Sequence, residues 1–341
     1  MNRHLLPRAL GQTGIELTSL GFGTAPLGEL FQRVSDADAA DAMQAAWDAG
    51  LRYFDTSPFY GHGQSEIRVG RGLYRQPRDG FVLSTKVGRL FHRPANPTAF
   101  QAAAWAGALP FDLTFDYTCD GIMRSVEDSY LRLGLNRIDL LLIHDLDAQF
   151  HADPATLAAH RADLRNTGWR ALDDLKSSGV IAAWGAGINT RGTMSWYLDA
   201  LPLDFFLLAL RYTLLENDTL DDELPLCAEK GVGLVIGGVF NSGILATGAQ
   251  PGAKHNYLDA APDVLVRVAR IEAVCAAHNV PLTAAALQFP LGHPLVASVI
   301  PGALSAAQVA ANVAAFNHEI PPAFWSDLKN EGLLRTDAPT P

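Results

Sequence analysis

Cysteine is scarce in this sequence: only Cys119, Cys227 and Cys275 occur, far apart, with no CxxC pair and no histidine at metal-ligand spacing. A disulfide framework and a structural metal site are therefore not expected, and a reducing, cytoplasmic setting fits. Cations are outnumbered as well. The 26 Lys and Arg against 36 Asp and Glu give a formal net charge of −10. Without a basic stripe interleaved with aromatics, neither nucleic acid nor a membrane surface is an expected partner. No apolar run approaches the roughly 18 residues of a transmembrane span. The opening residues, 1–8, hold no apolar segment ahead of a small-residue cleavage site, so no secretory leader is expected. Also missing is the G-x-G-x-x-G fingerprint of doubly wound dinucleotide-binding folds. Gly21-Phe22-Gly23 is followed by Pro26 where the third glycine belongs, and Gly185-Ala186-Gly187 by Thr190.

What remains is a chain of 341 residues with 48% hydrophobic content, enough to bury one large core. Short apolar runs at 20–24, 52–55, 81–86, 137–144, 180–187, 204–210, 233–237 and 295–300 read as strands. A hairpin over 8–18, turning at Gly11–Gly14, precedes the first. Between the strands lie helical patterns, among them 37–48 capped by Ser35 or Asp36, 64–73, 120–133 capped by Asp120, and 167–177. Others are a helix from 193, then 221–230, 262–278, 282–288, one through 316 capped by Ser305, and 322–330. Eight alternations predict an α/β fold, a single-domain (β/α)8 TIM barrel over 1–335, with a doubly wound sheet as runner-up. The stretch 88–117 shows no clear period and reads as a long loop after strand three, and 336–341 as a loose C-terminal tail.

The rest is organised around 51–61, where an apolar run ends in Asp55 and a turn at Ser57-Pro58 returns a phenol, Tyr60. Lys86 and His144 close the next two strands. One such histidine is most often a core residue and one such lysine a surface charge, but barrels assemble their chemistry from several strand ends on one face. Together the four residues suit acid–base work at a carbonyl or alcohol carbon. Tyr60 moves the proton, Lys86 lowers the phenol's pKa, Asp55 holds Lys86, and His144 hydrogen-bonds a substrate oxygen. Bringing a phenol from about 10 towards 7 takes about 4 kcal/mol. Such chemistry needs a hydride carrier from outside the protein. Two rivals stay open: a Schiff-base lyase with Lys86 as nucleophile, and a cofactor-sensing regulatory subunit.

Phe54-Asp55-Thr56-Ser57-Pro58-Phe59-Tyr60-Gly61, Thr85-Lys86-Val87, 138–144, and Ile300-Pro301-Gly302 with Asn312 resemble, in order, the motifs of the aldo-keto reductase family over nearly the whole chain. The resemblance implies Asp55, Tyr60, Lys86 and His144 as a catalytic tetrad. Val126–Gly134, Ile143-His144-Asp145, 210–215 and 237–243 are most similar to the sugar-oxidising branch of that family. This is the D-threo-aldose 1-dehydrogenase (L-fucose dehydrogenase) group, close to the pyridoxal 4-dehydrogenases. Its implied activity is oxidation of a cyclic aldose at C1 to the lactone, with pyridoxal oxidation or general aldehyde and ketone reduction as alternatives. Lys86 and His144 stand 58 positions apart, longer than most of the family, which makes the intervening insertion a candidate lid.

Barrels place phosphate sites after strands seven and eight. The loop 237–243 offers backbone N–H groups for a pyrophosphate, and Ser305 starts a helix whose N-terminus favours anions. Cofactor contacts are thus expected at Phe240, Asn241, Ser242, Gly243 and Leu245, and at Gly302, Gln308 and Asn312. Thr24 and Asp55 join them from the first two strands. The family's nicotinamide-facing glutamine aligns with Ala209 and its stacking aromatic with Gly237, so Asn189 is expected at the carboxamide and Phe240 as the stacking ring. From 302 to 317 there is no Lys or Arg to hold a 2′-phosphate, which favours NAD, with NADP possible. Substrate contacts are expected from Tyr60, His144, His92, Trp105 and Arg211. No metal is expected.

Overall fold

The computed structural model describes residues 2–102 and 104–341; Met1 and Ala103, within the expected barrel domain, lie outside the described residues. Eight parallel strands form one sheet: β1 (Phe22–Gly23), β2 (Tyr53–Asp55), β3 (Val82–Val87), β4 (Leu140–His144), β5 (Ala183–Ile188), β6 (Phe205–Ala209), β7 (Gly233–Gly237) and β8 (Val296–Ile300). Their order in space is their order in sequence. β1 and β8 then meet through isolated parallel bridges, Leu20 with Val299 and Gly23 with Gly302. Gly21 N donates to Val299 O at 2.9 Å and Gly23 N to Pro301 O at 3.2 Å, which closes the ring. The seam depends on Gly23, where a Cβ would stand 2.6 Å from the Ile300 carbonyl oxygen.

Strands covered on both faces read as unbroken apolar runs, and β4, Leu-Leu-Leu-Ile-His, is buried at every position. Tyr53, Leu140, Leu142, Phe205 and Val235 fill the barrel interior, joined by Leu10 and Leu17 of the N-terminal hairpin. That hairpin, Pro7–Ala9 with Glu16–Thr18, closes the end where β7 begins, because Gly11 packs on Gly233. The opposite, carboxyl end of the strands is left for the site. A second, larger core joins the outward residues Phe54, Leu83, Leu141 and Ile143 to the helices.

Helices Gln64–Leu73 and Pro322–Asn330 fall where expected, and Ser35 and Ser305 accept from Asp38 N and Gln308 N as caps. Five features differ. The stretch 88–117 is not a structureless loop: Arg89–His92 pairs antiparallel with Asp112–Phe115. A long excursion separates the two strands, so no short turn signals the pairing. Helix Cys119–Leu133 is capped by Thr118, whose Oγ1 accepts from Gly121 N at 3.2 Å, and Asp120 lies inside its first turn. The helix expected from 167 begins earlier. Pro154–Asp163, capped by Asp153, runs through a π-helical turn, Leu164–Gly168, into Trp169–Ser177. A second unforeseen hairpin, Lys254–His255 with Leu258–Asp259, turns on Asn256 and Tyr257, both in the left-handed region at φ 50° and 66°. The tail expected to be loose is packed: Ala338 is 1% exposed and its carbonyl accepts from Lys329 Nζ at 2.7 Å. Among the described residues no helix is long and apolar enough to cross a membrane.

Candidate active site

β2 and β4 end on Asp55 and His144, and Lys86 precedes the last residue of β3. The carboxyl rim therefore gathers all three. Lys86 Nζ donates to Asp55 Oδ2 at 2.7 Å and to Thr56 O at 2.8 Å, while Asp55 Oδ1 accepts from Ser84 Oγ at 2.7 Å. Lys86 is 1% exposed. An ammonium and a carboxylate this deep persist only because each satisfies the other. Burial raises the Asp55 carboxyl, and the Lys86 charge and hydrogen bonds work against that rise.

Beyond Asp55 the chain turns, Tyr60 N donating to Ser57 O at 3.1 Å. The turn sets the Tyr60 ring 4.6 Å from Lys86 Nζ, edge-on to His144 with ring centres 6.0 Å apart. Tyr60 stays partly exposed at the mouth. Lys86 does not bring this phenol towards neutrality in the free protein, contrary to expectation. Burial pushes Tyr60 well above its ordinary value, and Asp55 and Asp145 push it further. The Lys86 ammonium lies over the ring face and is paired with Asp55, which explains the weakness of its pull.

His144 is held from both sides. Its Nδ1 lies 3.0 Å from Ser57 Oγ and 2.8 Å from Arg89 Nη1. Its Nε2 lies 3.3 Å from Asp145 Oδ2. Burial, then the charges of Arg89 and Lys86, hold the imidazole well below its ordinary pKa. Ser57, Arg89 and Asp145 were not foreseen as site residues. Arg89 sits in the stretch without period, and Asp145 adjoins His144 but carries no strand pattern of its own.

Of the expected substrate contacts, Trp105 reaches the site, its ring centre 5.8 Å from that of Tyr60. His92 does not: it bonds Thr114 Oγ1 at 2.7 Å on the exposed hairpin. Arg211 borders a separate cavity of about 220 Å³ with Thr190, Arg191 and Glu216, and its Nε donates to Asn189 O at 2.6 Å.

The expected cofactor residues divide in the same way. Thr24 Oγ1 donates to Asp55 O at 2.8 Å, bracing the site from β1. Asn189 Nδ2 donates to Asp145 Oδ1 at 2.8 Å at the end of β5. After β7, Phe240 is half-buried and Gly243, at φ 114°, has open space where a side chain would be. The side chains of Asn241 and Leu245 are turned inward instead. Asn241 accepts from Thr213 Oγ1 and donates to Leu210 O at 3.2 Å, and Leu245 is core. Ser242 Oγ accepts from Tyr257 N at 2.9 Å, tying the loop to the second hairpin. After β8, Asn312 donates to Gly302 O at 3.3 Å and Gln308 Oε1 accepts from Leu304 N at 2.7 Å, which orders the start of helix Ala306–Asn317. An open glycine turn and an ordered helix N-terminus at neighbouring strand ends fit a dinucleotide's phosphates.

Comparison with known proteins agrees with this geometry. The model of the Aldo/keto reductase family matches residues 19–330. A pyridoxal 4-dehydrogenase of Microbacterium luteolum is 43% identical over 96% of this chain and 97% of its own. A D-threo-aldose 1-dehydrogenase of a Pseudomonas species is 39% identical over 96% and 98%. Among solved structures, the holo form of an aldo-keto reductase from Bacillus halodurans superposes with a TM-score of 0.74 at 25% identity, covering 98% of both chains. The chain belongs to the aldo/keto reductase family and is an oxidoreductase of (β/α)8 fold.

Proposed function

We propose that the protein oxidises the C1 hydroxyl of a cyclic aldose to the lactone, using NAD. The observation that carries this reading is one rim holding a phenol, a buried ammonium–carboxylate pair and an imidazole: Tyr60 beside Lys86–Asp55, edge-on to His144. Tyr60, as phenolate, takes the proton of the C1 hydroxyl. His144 orients that oxygen, and the Lys86–Asp55 pair fixes the floor of the site beneath the Tyr60 ring. What the bound cofactor supplies is acceptance of the hydrogen at C1 with its electron pair. Phe240, Asn189, Gly243 and the start of helix Ala306–Asn317 would hold it. The absence of Lys and Arg from 302 to 317 supports NAD over NADP. Three free thiols suit a reducing cytoplasm.

A second reading keeps the chemistry and changes the substrate to pyridoxal in its cyclic hemiacetal form; the relative at 43% identity favours it. Both substrates present a ring carbinol to the same groups. A Schiff-base lyase loses support because Lys86 Nζ is buried and bonded to two acceptors. A matrix of NAD and NADP against L-fucose, D-arabinose, L-galactose and pyridoxal, read at the NADH band, separates these readings. No signal with any of the sugars overturns the aldose assignment.

A further inference from the structure

Arg89 opens the hairpin strand Arg89–His92, only three residues beyond Lys86, and is 4% exposed. Its guanidinium lies 4.2 Å from the centre of the Phe59 ring, 4.6 Å from Phe115 and 5.1 Å from Phe150, so it is held by aromatic faces. Its Nη2 donates to Asp145 Oδ2 at 2.8 Å and its Nη1 points at His144 Nδ1 at 2.8 Å. A guanidinium has only donors and keeps its proton. His144 Nδ1 must therefore accept, and can carry no proton itself. Ser57 agrees: its Oγ accepts from Phe59 N at 3.1 Å, leaving its own hydrogen for Nδ1 at 3.0 Å. The one remaining ring proton belongs on Nε2, which lies 3.3 Å from Asp145 Oδ2 without a hydrogen bond between them, so the proton stays free to donate at the site.

Asp145 reaches back to the preceding ring because it adopts φ 54°, an uncommon conformation for a residue with a side chain. Asp145 N donates to Gly187 O at 3.0 Å and Asn189 Nδ2 secures its other carboxylate oxygen, so the conformation is over-determined. We infer that Arg89 and Asp145 are positioning residues that lock His144 in its neutral Nε2–H tautomer, so that the imidazole donates a hydrogen bond at the site without transferring a proton. The groups that face His144 are Lys86 from β3, Tyr60 and Ser57 from the turn after β2, and Arg89 from the hairpin. Asp145 stands beside it, and Tyr117 donates its hydroxyl to the His144 carbonyl at 2.8 Å. Two of these are fixed cations, and both oppose a protonated ring.

The catalytic consequence rests on the proposed function; the lock itself is a property of the free protein. It is read by nitrogen NMR of the protein with 15N-labelled histidine, without cofactor or substrate, the His144 signals being identified by their loss in His144→Gln. The lock predicts an unprotonated Nδ1 and protonated Nε2 with no titration through the ordinary histidine range, about pH 6.5. In Arg89→Met the proton should no longer be confined to Nε2, with signal appearing from protonated Nδ1. The ring should also protonate at a higher pH than in the wild type, burial and Lys86 still holding it below the ordinary value. Arg89→Lys, which keeps a cationic donor, should restore the locked signals in whole or part. A wild-type ring that carries its proton on Nδ1, or that takes up a second proton near pH 6.5, overturns the inference even if Arg89→Met does not fold. In Arg89→Met that folds, the pH profile of kcat should gain an acid-side ionisation that the wild type lacks; loss of stability with an unchanged profile would make Arg89 merely structural. A locked ring in a protein inactive on every sugar and on pyridoxal would instead remove the functional reading and leave the lock standing.

Discussion

Lys86 carries its charge into the barrel only because Asp55 and the Thr56 carbonyl receive it. Removing one partner of such a pair leaves the other charge buried and alone. Lys86→Met should therefore destabilise the fold by about 3–5 kcal/mol, read from denaturant midpoints. The double variant with Asp55→Asn should recover part of that loss, because neither remaining group is charged. Additive losses would contradict the coupling. Tyr60 leads to a separate expectation. Burial, Asp55 and Asp145 raise the phenol in the free protein, so the fraction able to accept a proton grows with pH. The rate of oxidation should climb through the alkaline range, and reduction, which needs the protonated phenol, should fall. A rate of oxidation flat between neutral and alkaline pH would argue against Tyr60 as the proton acceptor. These four residues were legible in the sequence because each ends, or turns back from, an apolar run. Arg89 and Ser57 were not: their importance lies in what they touch across 55 and 87 positions of sequence, and no period records that.

Among the elements, the hairpin Arg89–His92 with Asp112–Phe115 and the helix Pro154–Asp163 with its π-turn support the site from outside the barrel. They meet at Tyr117, which donates to the His144 carbonyl and lies 3.2 Å from His151 Nε2. His151 is buried against the His160 ring, centres 4.9 Å apart, and its pKa is pulled down to about 4 by burial first and then by His160 and Arg89. The unfolded chain takes this proton near pH 6.5, the folded one only near pH 4, so stability falls as pH drops through that window. His151→Gln should flatten that acid limb: its midpoint should change less between pH 7 and pH 5 than the wild type's. An equal slope in both proteins would place the acid sensitivity elsewhere. The helices capped by Ser35 and Ser305 and helix Gln64–Leu73 were read to within a few residues, whereas Pro154–Asp163 was missed although Asp153 caps it. The N-terminal hairpin was legible from its glycine turn; the other two were not, because one closes a long excursion and the other turns on Asn256-Tyr257, without the glycine that usually marks such a turn.

At the scale of the whole molecule, eight alternating elements foretold the closed barrel, since buried parallel strands admit little but continuous apolar sequence. The closure itself hangs on the β1–β8 seam at Gly23, a contact between the two ends of the chain that no local pattern reveals. With the bottom plugged by the N-terminal hairpin, the carboxyl rim is the face on which Asp55, Tyr60, Lys86 and His144 converge, and the central claim is that Tyr60 moves the proton there. The most direct test compares wild type and Tyr60→Phe for NADH formation from NAD with L-fucose, D-arabinose, L-galactose and pyridoxal, alongside NAD binding to each. The account predicts turnover of at least one substrate by the wild type, and a loss of roughly 100-fold or more in Tyr60→Phe with NAD binding unchanged. A Tyr60→Phe variant that binds NAD normally and keeps its rate would contradict it.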